Sequence, residues 1–195
     1  MKRLAKALQR NKQIRVLGVD DGPFDKRRDT TVNIAGIICS NTRFEGMLWM
    51  AVQRDGNDAT QVLARAIVNS KFYSQLHVIL LDGIAVGGFN IIDLPRLSHV
   101  LQLPCIGVMR RMPNLAAIDQ VLQRFDDYEQ RKQLMEQAGE IYQIDGFVYQ
   151  TAGCDVDLAA KALRQATDVG KVPEALRLAH LIGAAVKLGE SGKRA

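Results

Sequence analysis

Cysteine is scarce in this chain of 195 residues: there are three, at positions 39, 105 and 154. An odd number, so widely spaced, gives no disulfide framework and no zinc-ligand pattern. Cys39 and Cys105 lie in apolar, strand-like runs, where a thiol behaves as a small hydrophobe. A reducing, cytoplasmic setting is therefore expected. No run approaches the ~20 apolar residues of a membrane span. Met1 to Arg10 is basic but has no apolar core of a secretory signal, and residues 1–12 read as a short amphipathic helix or a basic arm. Two of the three histidines, His77 and His99, have no motif around them. No Gly-x-Ser-x-Gly elbow occurs, so a hydrolase triad is not indicated. Gly87-Gly88-Phe89-Asn90 lacks the Gly-Lys-Ser/Thr of a phosphate loop and the spacing of a dinucleotide fingerprint; it reads as a tight turn.

What is present fits one globular domain over 1–195, with 47% hydrophobic and 24% charged residues. The net charge of +5 permits nucleic acid as a partner without establishing it. Strands are expected at 14–20, 31–39, 43–54, 76–81 and 104–109, each an apolar run bounded by turn residues. Short turns between the first three favour an antiparallel meander. Asp58, with Gln61 three residues on, forms a capping box for a helix that follows the third strand. Further helices are expected near 91–102, over 114–137, and near 155–168 and 173–188. A strand or hairpin fits 140–150, turning at Asp145-Gly146. Residues 189–195 read as a mobile tail. The order β-β-β-α-β-α-β is that of the ribonuclease H-like fold: an α/β mixed sheet of five or slightly more strands, an antiparallel meander, and helices on both faces. In that order the fourth strand lies beside the first.

Two strand ends match. Residues 16–22 read Val-Leu-Gly-Val-Asp-Asp-Gly, and residues 78–83 read Val-Ile-Leu-Leu-Asp-Gly. Ligands of open α/β sheets sit beyond the carboxyl ends of strands, so neighbouring strands would bring Asp20 and Asp82 to one point. Two close carboxylates repel unless a proton or a cation lies between them. Side chains alternate along a strand, so Asp20 and Asp21 face opposite ways; Asp21 reads as a turn residue beside Gly22. Asp55, at the end of the third strand, is either a third carboxylate of the cluster or a turn residue. Asp58 is accounted for by capping. Arg110-Arg111 follow the fifth strand on the same edge, where arginine can hold a phosphate bidentately. His180 and Arg177, three apart in the last helix, share one face. Asp126, Asp127 and Glu129 read as the wet face of a charged helix.

The segments 16–22, Arg-Asp-Gly-Asn-Asp-Ala-Thr (54–60), Leu-Asp-Gly-Ile-Ala-Val-Gly-Gly-Phe-Asn (81–90) and Pro-Glu-Ala-Leu-Arg-Leu-Ala-His-Leu-Ile (173–182) together resemble endonuclease V. More narrowly, they resemble the family known as domain of unknown function ninety-nine. The resemblance covers nearly the whole chain from about Arg15. It implies a ribonuclease H-like fold and Mg²⁺- or Mn²⁺-dependent cleavage of DNA or RNA near deaminated bases, a DNA-repair chemistry. It implies Asp20, Asp55 and Asp82 as metal ligands, His180 as a further catalytic residue, and Arg110 and Arg177 as phosphate holders. The chain departs from endonuclease V in two places. The strand-separating Pro-Tyr-x-Pro-Gly wedge is absent, with Arg43-Phe44-Glu45-Gly46 in its region. Val86-Gly87-Gly88-Phe89 stands where endonuclease V has His-Pro-Arg. The expected activity is therefore a metal-dependent phosphodiesterase without the wedge; the alternative is a non-catalytic nucleic-acid-binding or scaffold protein on the same fold.

Overall fold

The computed structural model describes residues 2–192; residues 193–195, the end of the expected tail, lie outside the described part. The first apolar runs become β1 (Arg15–Asp21), β2 (Thr31–Ser40) and β3 (Arg43–Gln53), joined as an antiparallel meander. Helix α2 (Ala59–Val68) then returns the chain to β4 (Val78–Asp82), which pairs parallel with β1. After a small hairpin of β5 (Ala85–Val86) and β6 (Asn90–Ile91), helix α3 (Leu94–Leu101) leads to β7 (Cys105–Met109), parallel to β4. The main sheet is mixed and has seven strands, two more than the five read as distinct runs. The hairpin of β8 (Tyr142–Ile144) and β9 (Phe147–Ala152) adds them antiparallel to β7. Its turn is at Asp145-Gly146, both with positive φ, 52° and 83°, as a tight primed turn requires. Strand order is β3-β2-β1-β4-β7-β9-β8.

Alternation along the strands builds two cores. Leu17, Val19, Ile79, Leu81 and Cys105 face α2 and α3, while Val16, Val78, Leu80, Ile106 and Val108 face the opposite helical layer. That layer is α1 (Lys2–Gln9), α6 (Val156–Gln165) and α7 (Glu174–Leu188). Central strands covered on both sides read as continuous apolar runs, as 16–19 and 78–81 do. The basic N-terminal segment is helix α1, with Leu4 and Ala7 buried in the core. No described helix is long and apolar enough to cross a membrane.

Two expectations are corrected. The helical pattern over 114–137 is two helices, α4 (Leu115–Leu122) and α5 (Tyr128–Gln137). The break has a cause. Phe125 turns inward, 5.8 Å from the Phe89 ring, and the Arg131 guanidinium stacks on it at 4.3 Å. The capping box at Asp58 does not form. Its carboxylate accepts from the Gln53 N–H at 3.1 Å and the Asn90 amide at 2.7 Å, and the Asn90 carbonyl caps α2 instead, accepting from Ala59 N–H at 3.0 Å.

Candidate functional site

The parallel core of the sheet positions the carboxylates. β1 and β4 align Gly18 with Leu80 and Val19 with Leu81, so one further step sets Asp20 beside Asp82. β4 and β7 align Asp82 with Val108, which puts Arg110 just beyond the same edge. Asp20, Asp82 and Arg110 share the parity of Val16, Leu80 and Val108, and so lie on the α7 side of the sheet. Asp21 lies on the other side. Its carboxylate accepts the Gly87 N–H at 2.6 Å, so it secures the loop after β5.

Helix α7 brings His180 over this point by backbone-close packing. A Cβ at Gly18 would lie 2.5 Å from the Ala175 carbonyl carbon, and one at Gly22 would lie 3.2 Å from Gly183 O. Eight helical residues advance about 12 Å and four strand residues about 13 Å. The two contacts thus hold α7 along β1 in matched steps, with His180 near the midpoint. Its Nδ1 lies 3.1 Å from Asp20 Oδ2. The Asp20 carboxyl is only 5% exposed as a residue, whereas the His180 side chain is 34% exposed.

Charge is crowded here. Burial, then Asp82, then Asp21 push the Asp20 carboxyl from its ordinary 3.8 up to about 8. Burial also raises Asp82, while Arg110, His180 and a hydrogen bond with Asp20 pull it back. Burial raises Asp21 too, and the Gly87 N–H opposes it. A proton shared within such a group marks a place where positive charge is wanted.

Two other residues implied by the resemblance, Asp55 and Arg177, stand apart from this pair. Asp55 lies not at the end of β3, as expected, but in the turn just after it, with φ 52°. Its carboxylate accepts from Phe89 N–H at 2.9 Å and lies 3.3 Å from Arg54 Nε, so it braces the Gly87-Gly88-Phe89 turn rather than touching Asp20 or Asp82. A side chain at Gly88 would collide with that carboxylate. Arg177 forks onto Glu174 at 2.7 and 2.6 Å. Arg110 is exposed at the edge. Among the described residues, no three His, Cys, Asp or Glu side chains form a ready-made metal cage.

Sequence reasoning missed Arg131, which is 6% exposed in a helix read as charged and wet. Its guanidinium donates to the carbonyls of Asp55 (2.7 Å), Gly56 (3.3 Å) and Phe89, and to the Asp127 carboxylate at 2.6 Å. One side chain thus ties α5 to the two loops that carry Asp55 and Gly88. Also missed is a cavity of about 620 Å³ lined by Gly83, Phe89, Met109, Met112, Leu115 and Met135, among others. Gly83 and Met109 immediately neighbour Asp82 and Arg110 in sequence, but the cavity lies on the α2–α3 side of the sheet, against Ile84, Phe89 and Met135, and neither carboxylate lines it. Its walls come from four separated segments, which no local pattern joins.

Known proteins share this architecture. A structure of an Archaeoglobus fulgidus protein of unknown function superposes with a TM-score of 0.84 and 35% identity, over 89% of this chain and 98% of that one. The fold is also that of endonuclease V: the Ciona intestinalis enzyme, solved with a DNA containing inosine, superposes at a TM-score of 0.57 and 15% identity, over 91% of this chain and 92% of that one. A UPF0215 protein of Pyrococcus furiosus is 40% identical over 189 residues, 93% of this chain and 96% of its own. A UPF0215 protein of Methanothermobacter thermautotrophicus is 39% identical over 184 residues, 92% of this chain and 90% of its own. The model of one family, described as Endonuclease dU, matches residues 12–187, and the chain belongs to that family.

Proposed function

We propose that this chain is a divalent-metal-dependent phosphodiesterase of ribonuclease H-like fold, acting on DNA or RNA. One observation carries the reading: Asp20 and Asp82 converge at parallel strand ends, and Asp20 is hydrogen-bonded to His180. The donor set is hard carboxylate oxygen; burial raises both carboxyls, with Asp82 and Asp21 adding to it at Asp20, and a dication relieves this. Asp20 and Asp82 would hold Mg²⁺ or Mn²⁺, which when bound polarises a phosphoryl oxygen and lowers the pKa of water. Asp20 orients the His180 imidazole through Nδ1 and leaves Nε2 to take or give a proton. Arg110 places positive charge beside both carboxyls, where it meets a phosphate. Asp55 acts through the loop it braces.

The substrate side draws on the family and its fold. The family description names dU, and a structural neighbour is solved with inosine-containing DNA. The cavity beside Gly83 is of ligand-pocket size and apolar enough to receive an extruded base. Strands containing deoxyuridine or inosine therefore head the substrate screen. The test is Mn²⁺-dependent cleavage across single-stranded, duplex, branched, deoxyuridine- and inosine-containing substrates. Asp82→Ala should abolish cleavage with an unchanged circular dichroism spectrum, and undiminished cleavage by that variant refutes the assignment.

The engagement of Asp55 with Phe89 favours a second reading, a binding module without catalysis. A Mn²⁺ titration separates the two. Catalysis requires a rise in melting temperature that is lost in Asp20→Asn; a binding module shows none.

A further inference from the structure

Three features of the loop between β1 and β2 stand out: it is basic, it is fastened, and it sits on the carboxylate edge. Lys26, Arg27 and Arg28 are exposed. Arg28 has only a 3.8 Å contact with Asp25. The loop is anchored along its length. Phe24 packs onto the core of the α2–α3 face. The Asp25 carboxylate accepts from the Arg27 N–H at 2.8 Å, and Asp29 accepts from the Asp25 N–H at 2.9 Å. Arg54 donates to the carbonyl of Lys26, and Lys187 donates to Asp29 at 2.9 Å. The two acidic groups of the loop are thus spent on its own turn and on Lys187, while the three cations point to solvent. A loop already ordered pays little further entropy on binding.

Sheet order places this loop opposite a second basic group. β2 begins at the edge where β1, β4 and β7 end. Arg110 and Arg111, both exposed, follow β7. From β2 to β7 is three strand spacings, about 14 Å, with Asp20 and Asp82 between. That distance takes roughly four nucleotides of one strand at about 3.4 Å each.

We propose that the β1–β2 loop and the end of β7 form a two-sided phosphate track that holds one nucleic-acid strand across the sheet edge, with Lys26, Arg27 and Arg28 on one side of the carboxylate pair and Arg110 and Arg111 on the other. This rests on the nucleic-acid reading above and goes beyond it by assigning the loop as the second arm. A strand so held crosses perpendicular to the β-strands, and its middle phosphate lies over Asp20 and Asp82.

The test is binding of a labelled oligonucleotide, single-stranded and duplex, in EDTA to prevent cleavage, over roughly 50 to 200 mM salt. Each phosphate contact contributes about 0.7 to the salt slope on a single strand. The triple variant Lys26→Gln/Arg27→Gln/Arg28→Gln should lower that slope by about 2 and weaken binding about a hundredfold at 0.1 M salt. The comparison is an equal charge change on α1 and the turn that follows it, Lys2→Gln/Lys6→Gln/Arg10→Gln. The segment after α1 leads into the start of β1, where Ile14 N–H donates to the Asn41 side chain and the Lys12 carbonyl accepts from Gln165, which puts the end of α1 at the opposite edge of the sheet. This second triple should leave the slope unchanged. If wild type binds but the loop triple keeps its slope, or both triples lose it equally, the track is overturned while the nucleic-acid reading stands. If wild type binds neither oligonucleotide, both fall.

Discussion

Asp20 carries an anionic position that the fold buries before any cation arrives. Its carboxyl is raised from 3.8 to about 8, so the folded chain keeps a proton that the unfolded chain releases. The sign follows from linkage: stability is greatest below about pH 3.8 for this group and declines as pH climbs toward about 8. In metal-free buffer, Asp20→Asn should melt higher than wild type at pH 8 and no higher at pH 4. An equal gain at both pH values would remove the explanation. Arg131 is the converse, a buried cation satisfied by three carbonyls and one carboxylate. Arg131→Met strands those acceptors and should cost about 3–5 kcal/mol in urea denaturation. Arg131→Lys keeps the charge but not the planar fork and should recover only part of that loss. The two residues differ in legibility. Asp20 closes an apolar run before Gly, and its parity assigned its face. Arg131 stands among Glu129, Gln130 and Lys132, where nothing local distinguishes a buried charge from a wet one. Asp58 misled for a similar reason: capping chemistry describes a short stretch of chain, and Asn90, 31 residues away from Ala59, performs the task.

Elements matter here through how closely two of them approach. α7 lies against β1 because Gly18 on the strand and Gly22 just past its end meet Ala175 and Gly183 on the helix. Gly18→Val must push the helix outward, since the obstacle is Ala175 backbone. Overpacking of this kind costs about 1–3 kcal/mol. It should also lengthen the His180–Asp20 contact, so cleavage should fall further than the loss of folded protein explains. Measuring melting temperature and turnover on the same samples checks this, and proportional losses would reduce the contact to packing alone. The helix itself was readable from Pro173 at its start and Gly189 past its end. Its partner strand was not, because sequence periodicity shows that a helix has an apolar face but not which strand that face will meet.

Across the whole molecule, the candidate site lies on one edge of the sheet and stability in the middle. β1, β4 and β7 are covered on both sides, whereas α4 buries Leu122 alone. Hydrogen exchange should therefore be slowest in β1 and β4 and fastest in α4. Slow exchange throughout α4 would contradict this ordering. Meander, crossover and the Asp20–Asp82 juxtaposition followed from strand order, which needs only runs and turns. The hairpin at 140–150 was also legible from its Asp145-Gly146 turn, whereas its pairing onto β7 and the split of 114–137 depended on tertiary partners. The edge is also assembled out of chain order. Both carboxylates leave the ribosome well before His180, and α7 can dock along β1 only once its residues have been made. A nascent chain therefore displays the acidic pair uncovered. In time, the imidazole is the last part of the candidate centre to arrive, so the carboxylate pair meets His180 only after α7 has been made.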